Sequence, residues 1–162
     1  MVVYSFYIFD RHTECIFAKK WTPRPTPKGA RPQSDASTTL NGEAGLKQLS
    51  AADDAKLIFG VIFSLRNMVK KIGGEDNNFI SYRTGEYKLH YLETPTRLKF
   101  VMLTDTKTSN LRLQLHQIWS MLYVEYVVKN PLSPVEHPGG LGVVNELFEA
   151  SLDRFVMVSL MG

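Results

Sequence analysis

The side chains able to perform chemistry are scattered along this sequence. The histidines, at positions 12, 90, 116 and 137, show no HExxH or other metal-ligand spacing. Serine, histidine and aspartate all occur, but no GxSxG segment would place a nucleophile on a strand-turn-helix elbow. The glycine-rich segment 139–142 follows a proline and lacks the lysine and hydroxyl of a phosphate-binding loop. We therefore expect no catalytic residues, no metal site and no cofactor.

The single cysteine and one histidine also have ordinary structural interpretations. Cys15 excludes an intramolecular disulfide, and its place in a predicted strand favours an inert thiol over a nucleophile. His90 lies in a strand-like segment and is interpreted as a strand or interface residue. A lone cysteine favours a reducing compartment, and no apolar run reaches the roughly 18 residues of a membrane span. We expect neither a signal peptide nor a transmembrane segment.

The net charge does not indicate nucleic-acid binding. The chain has 162 residues, 44% hydrophobic and 22% charged, a composition that excludes disorder over the whole length. The segment between Lys20 and Ser50 carries five basic and two acidic residues, which accounts for the whole formal charge of +3. The rest of the chain is formally neutral, so a basic nucleic-acid surface is not predicted.

The elements that position these side chains follow from hydrophobic periodicity. Strands are predicted at 2–9, 15–18, 79–84, 86–93 and 98–103. The first and last are apolar almost throughout, which is typical of central strands covered on both faces. The short second strand is expected at an edge, and the last three strands are expected to form an antiparallel meander.

Helices are predicted after the second strand and at the end of the chain. The first begins at a capping box, Ser50 to Asp53, and ends at Gly73-Gly74. A step of about 100° per residue predicts one apolar core sector in it. The members of this sector are Leu57, Ile58, Val61, Ile62, Leu65, Met68, Val69 and Ile72.

Two more helices complete the chain. One ends before Pro131, and the other spans roughly Leu141 to Phe155. An additional apolar strip on the first of these could pack against the last helix or against a partner. Its members are Leu113, Met121, Val124 and Val128.

Four residues of the first helix are candidates for a partner interface. Phe59 and Phe63 are predicted to project from the side opposite the core sector, in line with Arg66 and Lys70. Aromatic anchors beside an arginine are typical of interface hot spots. The alternative is that the sheet or a loop covers both phenylalanines.

A proline-rich insertion at about 22–45 interrupts an otherwise single domain, 1–162. The segment has four prolines, no aromatic residue and one large apolar side chain, Leu40. It offers almost no apolar surface to offset the backbone entropy lost on ordering, about 1–2 kcal/mol per residue. We expect a flexible insertion, with a polyproline ligand as the weaker alternative.

Four separated blocks resemble a known family. VYSFYIFDRHTEC, YRTGEYKLHYLETPTRLKFVMLTD, LYVEYVVKNPL and ELFEASLDRFV occur in the order found in the small longin-like, or sybindin-like, subunits of the TRAPP tethering complex. The resemblance implies an α+β fold, the longin-like α-β-α sandwich. That fold has a five-stranded, mainly antiparallel sheet with one helix on one face and two on the other.

The resemblance also implies a function without catalysis by this chain. It implies a non-catalytic core subunit that helps assemble the guanine-nucleotide exchange factor for a Rab GTPase of the Ypt-one/Rab-one class. The implied partners are other longin-like and Bet-three-like TRAPP subunits, with the GTPase bound through the complex and no nucleic acid. The implied location is cytoplasmic and peripheral at endoplasmic-reticulum and cis-Golgi membranes, in transport between the two.

Other users of the longin fold are the main alternative. A vesicle SNARE regulatory domain would need a heptad helix and an anchor after the domain, and we expect neither beyond Gly162. A small adaptor-coat subunit agrees with the fold alone, and only the four blocks argue against it.

Overall fold

A computed structural model describes residues 1–25, 50–73, 79–134, 136 and 142–162. Within these ranges there are five strands and three helices. The strands are β1 (Val3–Phe9), β2 (Cys15–Lys20), β3 (Ser81–Arg83), β4 (Lys88–Glu93) and β5 (Lys99–Thr104). Helix α1 is Ala51–Gly73; α2 is Arg112–Gln117 with its π-helical continuation Ile118–Val128; α3 is Glu146–Phe155 with its π-helical continuation Val156–Leu160.

The strands form one antiparallel sheet in the order β2-β1-β5-β4-β3. Every residue of β1 and of β5 is buried, as their continuous apolar runs predict for central strands. The predicted edge position of β2 and the predicted meander of the last three strands are confirmed. β4 is buried over its four middle residues.

Two hydrophobic cores lie on opposite faces of the sheet. Residues of α1 such as Ile58 and Ile62 pack with Tyr7 and Val101 on one face. Residues of α2 and α3 pack with Phe6 and Phe100 on the other face. The predicted α+β sandwich, with one helix on one side and two on the other, is confirmed.

Helix α1 begins where the sequence predicts, and its described part reaches Gly73. The Ser50 hydroxyl accepts a hydrogen bond from the Asp53 amide at 3.2 Å. The Asp53 carboxylate accepts from that same hydroxyl at 2.6 Å, so it binds the cap side chain. Lys70 and Lys71 occupy the last turn, where positive charge suits the helix dipole.

The predicted core sector of α1 is correct only in part. Ile58 and Ile62 are buried, but Leu57, Met68 and Ile72 are 56%, 55% and 82% exposed. The buried face is centred instead nearer Ala55, Ile58 and Ile62. The apolar arc of α1 is wider than the strip of a helix that one sheet face can cover, so one flank stays in solvent.

Two further sequence predictions differ from the structure or fall outside it. The last helix begins later than predicted, because Asn145 caps it and Val144, 96% exposed, precedes it. From residue 26 onward the predicted insertion at 22–45 lies outside the described residues. The same holds for Gly74, His137 and residues 138–141.

Candidate protein-interaction surfaces

His90 is a buried structural residue on strand β4. Its Nδ1 accepts the Leu111 amide hydrogen at 3.4 Å, and its Nε2 lies 2.9 Å from the Thr104 hydroxyl. Accepting at Nδ1 places the proton on Nε2, which then donates to Thr104. Burial, with a smaller effect from Lys88, lowers the pKa of His90 to about 4. The ring is neutral with both nitrogens occupied, so it is unsuited to acid-base catalysis at neutral pH.

Cys15, His12 and His116 show no catalytic arrangement either. Burial raises the pKa of the Cys15 thiol, whose Sγ lies 3.4 Å from the Phe17 carbonyl oxygen and donates to it. His12 and His116 are exposed and lie on different elements. Across the described ranges, no group of three or more His, Cys, Asp or Glu side chains could hold a metal ion.

Lys99 is a buried lysine that periodicity did not single out. Its ammonium donates to the carbonyl oxygens of Asp10 and Arg97 at 3.3 and 3.2 Å. Burial lowers the pKa of Lys99, while the two carbonyls bind its charged form. Because Lys99 joins the two turns at one end of the sheet, we assign it a structural role.

Asp54 is a buried carboxylate that binds three side chains. Its carboxylate accepts from the Tyr7 hydroxyl at 2.7 Å and pairs with Lys20 at 2.8 Å and with Arg24. Burial alone would raise the pKa of Asp54, but Lys20, Tyr7 and Arg24 together outweigh burial and hold the pKa below its usual value. Arg24 also lies over the ring of Tyr87, 5.5 Å from its centroid. The cluster joins α1 to the sheet and holds the chain just before residue 26.

The four interface candidates of α1 occupy two different environments. Phe59 is half-buried, and its ring centroid lies 5.4 Å from that of Phe9 in the α1-side core. Arg66 forms an ion pair with Glu93 at 2.7 Å. The ring of Phe63 stacks on that of Phe59, with centroids 6.2 Å apart, but Phe63 is 57% exposed. Lys70 is also exposed. The expectation that both phenylalanines point away from the core is therefore wrong for Phe59. Compared with the predicted orientation, α1 is rotated about its axis, so its buried side includes Phe59.

The other helical layer also leaves apolar side chains in solvent. The strip of α2 contains Leu113, Met121 and Val128, which are exposed, and Val124, which is half-buried. Packing against α3, one of the two interpretations that the sequence left open, does not cover these residues. On α3 itself, Leu147, Met157 and Val158 are exposed. Both layers of the sandwich thus present uncovered apolar surface, which is typical of proteins with partners.

An open groove of about 760 Å³ lies at one end of the α2 strip. The turn after β4, with Thr94 and Pro95, forms one wall, and Leu113 and Trp119 of α2 form the other. His116 packs edge-on against Trp119, with ring centroids 5.3 Å apart. Most of the accessible lining is apolar, and Glu93, Arg112 and His116 are its ionisable members. Of these, Glu93 is paired with Arg66.

The comparisons with known proteins agree with this architecture. The model of the Sybindin-like family matches residues 3–159, nearly the whole chain. The chain belongs to the Sybindin-like family. The resemblance drawn from the four sequence blocks is thereby confirmed.

Several known proteins are similar to the chain over most of their length. The chain is 45% identical over 161 residues to "Transport protein particle subunit bet5" of Schizosaccharomyces pombe, covering 96% of both proteins. It is 37% identical over 158 residues to "Trafficking protein particle complex subunit 1" of Homo sapiens, covering 96% of this chain and 92% of the relative. A more distant relative, 26% identical over 100 residues, is "Trafficking protein particle complex subunit 4" of Dictyostelium discoideum, covering 62% of this chain and 70% of the relative.

In this Sybindin-like chain the sequence missed two features of the surface. The Asp54 cluster joins residues far apart in the chain, and only the acid in the first helical turn hinted at it. The exposed flank of α1 was assigned to the core, although its apolar arc was already too wide for one buried stripe. No helix of the described residues is both long and apolar enough to cross a membrane.

Proposed function

We propose that this chain is a non-catalytic core subunit of a TRAPP vesicle-tethering complex. The observation that carries the proposal is the 45% identity to a transport protein particle subunit over 96% of both chains. An alignment that spans both proteins almost end to end supports the same domain in both. The uncovered apolar side chains on both helical layers support a subunit with neighbours on two sides.

The finer role is assembly of a guanine-nucleotide exchange factor. Within the described residues, the buried aspartate, histidine and lysine side chains are bonded inside the fold; they are Asp10, Asp54, His90 and Lys99. None is presented to a substrate, so this chain contributes surface and position, and the assembled subunits together open the nucleotide site of the GTPase. The GTPase is of the Ypt-one/Rab-one class, and the neighbours are other longin-like and Bet-three-like subunits.

The place of action in this proposal is the cytoplasmic surface of endoplasmic-reticulum and cis-Golgi membranes. The chain reaches those membranes as part of the complex. Support comes from the names of the relatives, which describe trafficking and transport particles.

Nucleotide release tests the proposed function directly. The cognate GTPase is loaded with a fluorescent guanine nucleotide and mixed with the isolated chain, the reconstituted complex, or the complex assembled without this chain. We expect acceleration only by the complete complex. Release by the isolated chain would disprove the non-catalytic role, and full activity of the complex without this chain would disprove the assembly role.

A further inference from the structure

The groove beside α2 has apolar walls that stay open to solvent. Its volume of about 760 Å³ lies within the range of about 300–1,000 Å³ that is typical of ligand sites. Leu92 and Trp119 of its lining also pack against the core on this side of the sheet. Leu113 of α2 is 66% exposed, and Pro95 of the opposite wall is exposed too. These two side chains can therefore pack on an apolar group that enters the groove between them.

Arg112 gives the groove a positive charge. The acid of the lining, Glu93, binds Arg66 at 2.7 Å and accepts a hydrogen bond from the Tyr91 hydroxyl at 3.2 Å. By contrast, no carboxylate of the residues that the structure describes lies within 4.0 Å of the Arg112 guanidinium. Glu93 therefore does not neutralise Arg112, and a cation lies beside the apolar wall of the groove.

Two other polar side chains of the groove also offer hydrogen-bond donors. The Asn110 side-chain oxygen accepts the Arg112 amide hydrogen at 3.0 Å, and its side-chain nitrogen donates to no group within the described ranges. The ring of His116, which packs edge-on against Trp119, has one N–H when neutral. A guanidinium binds a carboxylate through two parallel N–H···O bonds. The occupant that satisfies these donors therefore carries a carboxylate next to an apolar group.

The open side of the groove favours a peptide over an acyl chain. Any occupant faces solvent along this side, because α2 and the turn after β4 form the walls of an open groove. A peptide tolerates this position, since its backbone N–H and C=O groups can bond to water. An acyl chain would leave part of its apolar surface in water and gain less from burial. The expected occupant is a peptide segment with Asp or Glu near a large apolar residue.

A second copy of this chain fits the groove less well. A two-fold contact with groove facing groove would leave both empty, since two concave surfaces cannot fill each other. Filling each groove with a neighbouring projection of the other copy would need an acid that is free to bind Arg112. Asp105, which precedes α2, already accepts the Thr108 hydroxyl, and Glu125 in the continuation of α2 pairs with Lys129. A contact with a more distant part of a second copy would build rings or filaments.

We infer that the groove beside α2 binds an acidic peptide segment of a different protein. A carboxylate of that segment binds Arg112, with Asn110 and His116 as further donors, and an apolar side chain of the segment lies between Pro95 and Leu113. The inference rests on the proposed function, since the segment is taken to belong to a neighbouring subunit of the same complex. Apolar contact supplies affinity, and Arg112 selects the acidic segment and fixes its position along the groove.

Photo-crosslinking in the assembled complex identifies the occupant. The chain is co-expressed with the other TRAPP subunits of its own organism, with benzoylphenylalanine in place of Ser109, an exposed residue next to Asn110. We expect one crosslinked segment in one neighbouring subunit, with Asp or Glu within a few residues of a large apolar side chain. The same crosslinker at exposed Ala52 of α1, the helix on the opposite face of the sheet, should not capture that segment. Crosslinks to a segment without an acid, to a second copy of the chain, to lipid alone or to nothing would overturn the inference.

Titration with the crosslinked segment as a synthetic peptide tests the groove quantitatively. In a proton-nitrogen correlation spectrum of the isolated chain, the indole signal of Trp119 should shift, whereas that of Trp21, which is bound to Asp153, should not. Arg112→Glu should weaken peptide binding about tenfold or more. Arg112→Lys keeps the charge but loses the two parallel bonds, so it should bind more tightly than Arg112→Glu and less tightly than the wild type. The control, Arg154→Glu on α3, makes the same change in net charge and should bind as the wild type does.

The outcomes separate this inference from the proposed function. A wild-type chain that joins no TRAPP subunit disproves both. A chain that joins the complex but captures no acidic segment in the groove disproves the groove site alone. Equal affinity of Arg112→Glu and the wild type for the peptide also disproves the site, with thermal unfolding as the check that the variant is folded. Leu113→Ser, at a side chain that is 66% exposed, is a second variant that should weaken binding through the apolar wall, and unchanged binding there would overturn the assigned contact as well.

Discussion

The hydroxyl of Tyr7 donates a hydrogen bond to the carboxylate of Asp54 at 2.7 Å, across 47 positions of sequence. This bond joins the central strand β1 to the first turn of α1. Lys20, from the edge strand, binds the same carboxylate. The contact helps set the rotation of α1 about its axis, and that rotation determines which part of the apolar arc of α1 is covered.

Removing the charge of Asp54 should destabilise the fold. Asp54→Asn leaves Lys20 and Arg24 without their counter-charge, and we expect a loss of about 1–3 kcal/mol in the free energy of unfolding, limited because both cations are partly exposed. Urea unfolding measures the loss. The matched control is Glu146→Gln in the first turn of α3, where the side chain is exposed and the change should stay within about 0.5 kcal/mol. Equal effects of the two substitutions would contradict the role of Asp54.

Stability should fall with acidification because of His90. The pKa of His90 is lowered from 6.5 to about 4 in the fold. Between these two pH values, His90 is protonated in the unfolded chain but neutral in the folded chain. Unfolding therefore becomes more favourable by up to about 1.4 kcal/mol per pH unit between pH 6.5 and about 4, roughly 3 kcal/mol in all. His90→Gln should flatten this pH dependence, and His12→Asn with His116→Asn should preserve it. Parallel stability curves for wild type and His90→Gln would rule out this assignment.

The two phenylalanines of α1 should respond differently to truncation. Phe59→Ala removes a half-buried ring that packs on Phe9, and we expect a loss of about 2 kcal/mol in the free energy of unfolding. Phe63→Ala removes a ring that is 57% exposed, so its loss should remain below about 1 kcal/mol. Thermal or urea unfolding of the isolated chain distinguishes them. A Phe63→Ala variant at least as unstable as Phe59→Ala would show that Phe63 is the core residue.

Asn145 should stabilise the helical layer in two ways. Its side-chain oxygen accepts the Phe148 amide hydrogen at 3.0 Å, and its side-chain nitrogen donates to the Tyr126 carbonyl at 2.7 Å, which joins α3 to α2. Asn145→Ala removes both bonds and should cost about 2 kcal/mol. Asn145→Asp keeps the cap and loses the donor, so about half of that cost is expected. If Asp and Ala are equally destabilising in urea unfolding, the cap contributes nothing.

Most of the fold was predictable because its signals are local. Each signal depends only on a few neighbouring residues. Examples are the continuous apolar runs of β1 and β5, the capping box at Ser50 and the glycine at position 73. Part of the strand order was predictable in the same way, since strands joined by a short turn pair antiparallel. The start of α3 was placed too early because Val144 continues the apolar periodicity of a helix that begins only after Asn145.

The sequence by itself determined the sandwich, the central strands and the family resemblance. Only the tertiary structure decided that Phe59 faces the core, that Arg66 binds Glu93, and that Leu57, Met68 and Ile72 stay in solvent. The physical reason is that periodicity gives the width of an apolar arc, whereas its rotation depends on contacts between distant residues such as Tyr7 and Asp54. A helix whose apolar arc is wider than its sheet can cover must leave one flank exposed, and long-range contacts select that flank.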